Sequence, residues 1–424
     1  MKFLSNEELL RRQFVQSVAK SCLGVSLLSG LDSIASAAPA PAAGKSSGKR
    51  MIYLFMTGAM SQLDTFDPKP DSDVQGPTGV IQTRLPGVQF SEHFPKLAAA
   101  ADQLAIIRSM NSETGAHGPG QYLMRTNYRE IASTVHPGWG SWMHKIQGRL
   151  HPTLPASVQV RGGQGPGYLG TAYAPVPIGD PNKGIENTTS PSYVTDDLFD
   201  HRMKLSQSFD QGFRTRTKGN REVAGYDELY RDAIGLLRSK DLAAFDIMAE
   251  PENVRERYGS STLGRGCLLA RRLIEQGVRF VEVSYGSWDH HNDLNASMTE
   301  RGSALDQALS ALLADLQDRG LLEDTLVVVG TEFGRKPNMN ATAGRDHHPA
   351  AYTCLLAGGG IRSGQVYGET DDDAFYADRD PVSVEDFNAT IGAALGLPIE
   401  QEFFSPDGRP FTIAHHGTPI KELL

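Results

Sequence analysis

Only three of the 424 residues are cysteine. Cys22 lies within an expected export signal, so the remaining chain has room for one disulfide at most. Cys22 also has no leucine three residues before it, which argues against a lipid anchor. Cys267 and Cys354 sit in apolar runs, and the sequence leaves open whether they pair or stay as buried thiols. Long apolar stretches are missing as well, so no membrane-spanning helix is expected. Basic residues are outnumbered, 41 against 50 acidic, for a net charge of -9, and they form no stripe. A nucleic-acid partner is therefore not expected. No internal repeat is visible. What is present, 39% apolar and 21% charged residues, suffices for a large core in one extended α/β domain or two smaller ones.

Residues 1–37 read as a twin-arginine export signal. Arg11-Arg12 precede Gln13, Phe14 and Val15; a mildly apolar run from Val18 to Leu31 follows, and then Ala35-Ser36-Ala37 in a small-residue cleavage pattern. Lys20 interrupts the apolar run, which is in any case too short for a good span. Residues 38–49 read as a linker. The expected location is periplasmic or secreted, with the twin-arginine export machinery as a partner. That route carries folded proteins, often with a cofactor already loaded.

From residue 50 the chain reads as alternating strands and helices. Met51–Met56 is a continuous apolar run suited to a strand buried on both faces. Gln103 to Arg108, with Leu104-Ala105-Ile106-Ile107 at its centre, and Tyr352 to Ala357 read as further strands. Ser91 is a candidate cap for a helix holding Phe94, Leu97 and Ala98. Helices are expected near Gln121–Met124, over Glu222–Met248 and Ser260–Gln276, and in the amphipathic stretch Ser383–Leu395. Residues 150–225 carry little pattern and are expected to be an insertion; a long Gly- and Pro-rich tract of this kind is usually functional or mobile.

The organising stretch runs from Val278 to Pro349. Two strand-like runs, Arg279–Tyr285 and Thr325–Gly330, each lead into an acidic or histidine-bearing loop, and Ser303–Arg319 between them has leucines at helical spacing. This is a βαβ pattern with its polar residues at the strands' carboxyl ends, where open α/β sheets bind ligands. Asp289, His290, His291, Asp346, His347 and His348 place four of the chain's twelve histidines there. Imidazole with carboxylate suits zinc, manganese or iron better than calcium. The plain alternative is that these are solvated loop residues. Glu332 reads as a further ligand or a base, or else as a salt-bridge partner of Arg335 or Arg345. His117, between a strand and a helix start, is a candidate nucleophile beside Ser112 and Thr114. His93, His144, His151, His201, His415 and His416 read as structural or surface residues.

These motifs resemble the alkaline phosphatase and sulfatase superfamily and, within it, a secreted bacterial sulfatase-like domain-of-unknown-function family. The narrower resemblance rests on Ser61-Gln62-Leu63-Asp64-Thr65-Phe66-Asp67-Pro68-Lys69-Pro70, Ile107-Arg108-Ser109-Met110, Gly286-Ser287-Trp288-Asp289-His290-His291, Thr331-Glu332-Phe333-Gly334-Arg335 and Gly344-Arg345-Asp346-His347. It implies an alkaline phosphatase-like α/β fold, with a central, mostly parallel sheet flanked by helices. The wider resemblance implies one metal held by Asp289, His291 and His347, with Asp346 in support. It puts His117 where sulfatases carry the residue converted to formylglycine, so that mechanism is excluded. It also finds Gly58-Ala59-Met60-Ser61 where the superfamily has an acid after the first strand, leaving a second metal site impoverished.

The expected function is an exported hydrolase of phosphate or sulfate esters that depends on one divalent transition metal. Its site would comprise His117 and Glu332 as catalytic groups, Asp289, His291, Asp346 and His347 at the metal, and Arg335 or Arg345 holding the anion by a bidentate contact. The alternative is a member that has lost catalysis and serves as a periplasmic or surface binding protein. Nothing in the sequence names the substrate, the metal or the oligomeric state.

Overall fold

The computed structural model describes residues 49–189 and 191–424. The expected signal and nearly all of the expected linker lie outside the described residues. Eight strands form the main sheet: β1 (Arg50–Met56), β2 (Ala105–Met110), β3 (Ser157–Val160), β4 (Val176–Ile178), β5 (Phe280–Tyr285), β6 (Thr325–Gly330), β7 (Tyr352–Gly358) and β8 (Gln365–Tyr367). Their spatial order is β8-β2-β7-β6-β1-β5-β3-β4. Every pairing is parallel except those of β7, which runs against both β6 and β2.

The apolar run of β1 does what a doubly buried strand must. Ile52, Leu54 and Met56 enter one core, and Met51, Tyr53 and Phe55 enter the other. Alternate side chains point to opposite faces, so a strand without polar alternation needs cover on both sides. The first core is covered by α5 (Thr262–Glu275) and α6 (Leu294–Asp318), the second by α1 (His117–Thr126), α2 (Trp139–Gln147) and α7 (Val384–Ala394). Two further helices are α3 (Asp196–Arg216) and α4 (Arg221–Arg238). The molecule is α/β, with a mostly parallel central sheet flanked by helices.

Several local expectations shift. The tract 150–225 is not one insertion: β3 and β4 extend the main sheet, and only α3 with α4 follows as a helical pair. No residue of α3 is buried, which is why its period does not stand out in the sequence. The helix expected over Glu222–Met248 ends at Arg238, because Ser239 turns extended and caps a separate short turn. Ser91 caps no helix. The short helix Pro95–Ala99 is capped from a distance instead, by Asp306 of α6, which accepts the N–H groups of Lys96 and Leu97 at 3.2 and 2.7 Å. Cys267 and Cys354 are both buried and free, in opposite cores.

The topology explains why one sheet edge gathers the polar loops. β1, β2, β5 and β6 all end there. β7 runs the other way, so the residues just before it, His347 to Ala351, arrive at that same edge.

Candidate metal centre

Two loops must touch backbone to backbone for the centre to form. Gly58, after β1, has φ of 112°, and a Cβ there would lie 2.6 Å from the backbone nitrogen of Asp289. Gly344 is equally tight, since a Cβ would lie 2.1 Å from the carbonyl carbon of His291. Only glycine tolerates such approaches. Trp288, fully buried, anchors the loop after β5, and its backbone N–H donates to Thr57 O at 3.2 Å.

Asp289 stands in the middle. Its Oδ1 lies 3.3 Å from His117 Nε2, 3.1 Å from His291 Nε2 and 3.2 Å from His347 Nε2. Nε2 of His291 and Nε2 of His347 are themselves 3.0 Å apart. His117, Asp289 and His347 each offer a ligand atom within 4.8 Å of the others. All four side chains are partly exposed, so the group is open to solvent-borne molecules.

Each ring is held from behind through its other nitrogen. His117 Nδ1 is 2.7 Å from Glu332 Oε1, His347 Nδ1 is 2.8 Å from the carbonyl of Gly115, and His291 Nδ1 is 3.1 Å from Asp346 Oδ1. A carbonyl or carboxylate oxygen there accepts a hydrogen bond, which places the proton on Nδ1 and leaves Nε2 with its lone pair. His117 Nε2, His347 Nε2 and a carboxylate oxygen of Asp289 therefore lie close together, with His291 Nε2 beside Asp289 and His347 and 3.4 Å from Arg335 Nη1. Two lone pairs facing at 3.0 Å repel unless a proton or cation lies between them. Two imidazoles and one carboxylate with oriented outer partners, and His291 alongside, fit a transition metal that keeps an open position.

The charges around this point are strongly biased. Burial alone pushes Glu332 up, but hydrogen bonds from His117 and the Gly58 N–H outweigh it and hold the carboxyl below its ordinary range. Glu332 also receives Gln121 Nε2 at 3.3 Å and Thr331 Oγ1 at 3.2 Å. The same Glu332 contact raises His117. Asp289 is pushed up by burial and pulled down further by Arg335, so it stays ionised well below the usual range. Asp346 is lowered by Asn340 and then by His291.

The two candidate anion-binding arginines are framework groups. Arg345 is fully buried; it clasps Asp64 with Nε at 2.7 Å and Nη2 at 3.3 Å and spends its other donors on the carbonyls of Val74, Gln75 and Pro337. That removes it from substrate contact. Arg335 is also buried and donates to the carbonyls of Ala59, Gly58 and Arg345 at 2.8, 2.5 and 2.9 Å and to Asp289. It lends positive charge beneath the centre, but its fork is already committed.

Neighbouring residues in an extended segment point opposite ways. Thus His347 joins the centre while His348 turns out to Phe375 O at 2.5 Å. His290 likewise turns inward, buried beside Trp288, and neither ring nitrogen has a hydrogen-bond partner among the described residues. Ser112 and Thr114 accept local backbone N–H groups within the loop before α1. Gly115, whose contribution is a carbonyl, and Gln121 and Asn340, which act on the carboxylates behind the rings, carry no signal in the sequence.

The family model described as "Protein of unknown function (DUF1501)" matches residues 48–424. No curated protein matches. Among solved structures the chain is similar to the PsFucS1 sulfatase from Pseudoalteromonas sp. (10% identity, 94% of this chain and 73% of that one, TM-score 0.35). It is similar also to the phosphonate monoester hydrolase SpPMH from Silicibacter pomeroyi (11%, 88% and 76%, 0.37) and to alkaline phosphatase from the Antarctic bacterium TAB5 (10%, 74% and 92%, 0.32). Likenesses this distant transfer no residue role and no activity.

Proposed function

This chain belongs to the DUF1501 family of proteins of unknown function, and on that premise we propose that it is an exported, metal-dependent hydrolase of phosphate or sulfate esters. The observation that carries the reading is the convergence of three Nε2 lone pairs on Asp289 Oδ1, each ring oriented by an acceptor behind it. His117, Asp289, His291 and His347 would hold one divalent transition metal; this donor set does not choose among zinc, manganese and iron. A cation held there supplies Lewis-acid polarisation of an ester oxygen.

The chain's own groups do the rest. Glu332 and Asp346 fix the orientation of His117 and His291, so both are positioning residues in this reading. Glu332 gives up the catalytic role expected of it, and Asp346 the ligand role. Arg335 keeps Asp289 ionised and adds fixed positive charge below an incoming anion. His117 Nε2 is one atom and serves one purpose at a time; its place beside Asp289 and His347 assigns it to the ligand set, so water from the open face is the attacking group. The twin-arginine pair supports export, and therefore a periplasmic or secreted location with metal loaded before transport.

A second reading, a binding protein without turnover, draws on one observation: the residue placed where the superfamily carries its Ser or Cys nucleophile is His117, already engaged in the cluster. The deciding measurement is metal content by mass spectrometry on protein recovered from the periplasm, with His291→Ala and His347→Ala alongside and a screen of phosphate and sulfate esters. About one metal per chain, lost in both variants together with ester turnover, supports the hydrolase. Metal retained without turnover on any ester supports the binding protein, and wild-type protein without metal sinks the centre itself.

A further inference from the structure

Helix α3 has 21 residues, none of them buried, and is roughly 30 Å long. α4 holds one side of it. Asp200 pairs with Arg238, Arg214 Nη2 lies 3.1 Å from Asp227 Oδ1, Arg238 stacks on the ring of Phe199, and Tyr230 OH reaches Met203 Sδ at 3.7 Å. Leu205, Phe209 and Phe213 follow one another at four-residue spacing, so they stand in one row along the helix. They are 43%, 80% and 50% exposed.

Apolar side chains scattered singly over a surface need no explanation, but a contiguous row of them marks an interface. Helices in proteins draw most of their stability from packing such a face. Gly212, three residues after Phe209, adds a second sign. A Cβ there would meet only the end of the Arg216 side chain, at 3.5 Å. Glycine inside a helix weakens it relative to alanine, and no other described residue uses the space this one leaves. That space suits a ring from an opposing helix.

The charges on α3 identify the occupant. Its first turn carries Asp196 and Asp197, and its last turn Arg214 and Arg216. Asp200 and Arg214 are spent on α4, whereas Asp197 and Arg216 are exposed. A helix acidic at one end and basic at the other, with an apolar row between, is complementary to itself turned end for end. Laid antiparallel about a twofold axis near the helix midpoint, two such helices set Leu205 beside the partner's Phe209 and Arg216 beside the partner's Asp197, and each contact occurs twice. A parallel pair would set like charges together at both ends. We propose that α3 docks antiparallel against α3 of a second copy of this chain, making the protein a twofold dimer. The pairing does not depend on the reading of the metal centre.

The test is sedimentation velocity on protein recovered from the periplasm, at concentrations up to about 100 µM. Wild type is expected to sediment as a dimer at the upper end of that range. Phe209→Glu alters an exposed position and places a good helix former there, so folding is not at issue; it is expected to weaken the dimer about tenfold or more. Arg216→Glu and Asp197→Lys each bring like charges together and are expected to weaken it roughly fivefold, while the double variant, with the charges exchanged, restores it. Wild type that stays monomeric at the highest concentration overturns the proposal, and so does a dimer that Phe209→Glu leaves intact. Failure of the double exchange to restore what the single reversals lose overturns the antiparallel pairing.

Discussion

Two charged clusters in this molecule use similar residues to opposite ends. Between α5 and α6, Arg271 is fully buried and meets Glu250, Asp315 and Glu275 at 2.9, 2.9 and 2.7 Å, while Tyr258 OH and Arg319 Nε each donate to Asp315 at 2.9 Å. Every carboxylate there has a cationic partner among the described residues, so the charges balance without any outside group. At the strand-end centre, by contrast, the protons sit behind the rings and the unshared pairs face one another in front. A cluster that balances itself belongs to the framework; one whose rings turn their lone pairs toward one another is, on the reading proposed above, the one that takes a cation.

Breaking each cluster should separate the two roles. His347→Ala removes a ligand and should abolish metal binding and ester turnover, with a loss beyond the ~100-fold typical of an outer-shell change, at nearly unchanged unfolding midpoint in the metal-stripped protein. Metal analysis beside urea denaturation checks this. Arg271→Ala should do the reverse: three carboxylates lose their buried cation, stability falls by about 3–5 kcal/mol, and the folded fraction keeps its metal. Glu332→Gln keeps the shape behind His117 but loses the charge, and should weaken metal affinity by about 10–100-fold. A competition titration with a chelator reads that change, and unaltered affinity would remove Glu332 from its positioning role.

Acidity sharpens the contrast. Burial holds His136, His144 and His290 down to about 4. An unfolded histidine titrates near ~6.5, so in the interval between, the unfolded chain binds more protons and stability declines as the pH falls. His117 has the opposite sign in metal-stripped protein. Its value is raised by Glu332, so its contribution is full below the unfolded value and is lost as the pH rises through the folded one. Urea midpoints across this range should show a shallower acid-side decline in His136→Phe and a flatter alkaline side in His117→Gln. The smallest effect belongs to the surface pair Arg379 and Glu369, where Arg379→Ala should change stability by less than ~1 kcal/mol.

The strand runs and the polar loops of the centre were legible because their signals are local. Met51–Met56 is apolar without alternation, and Asp289, His291 and His347 stand in short polar segments directly after or before strands. Arg345 and Arg335 were misread for the same reason: an arginine in a polar loop looks available, and nothing nearby in the chain reveals that Asp64 or the carbonyls of Gly58 and Ala59 consume its donors. α3 escaped notice because it buries nothing, and the cap on the helix Pro95–Ala99 because Asp306 lies more than two hundred residues away.

By itself, then, the sequence determined the α/β class, the doubly buried strand, and which loops hold ligand-type side chains, all properties of residue type and short-range period. Only the tertiary structure decided that His117 stands beside Asp289 and His347, and that Glu332 and Asp346 stand behind the rings rather than among them. The reason is physical: one antiparallel strand, β7, delivers His347 to the edge where β1, β2, β5 and β6 end, and ring orientation is set by acceptors on distant segments, one of them a backbone carbonyl that no side chain announces.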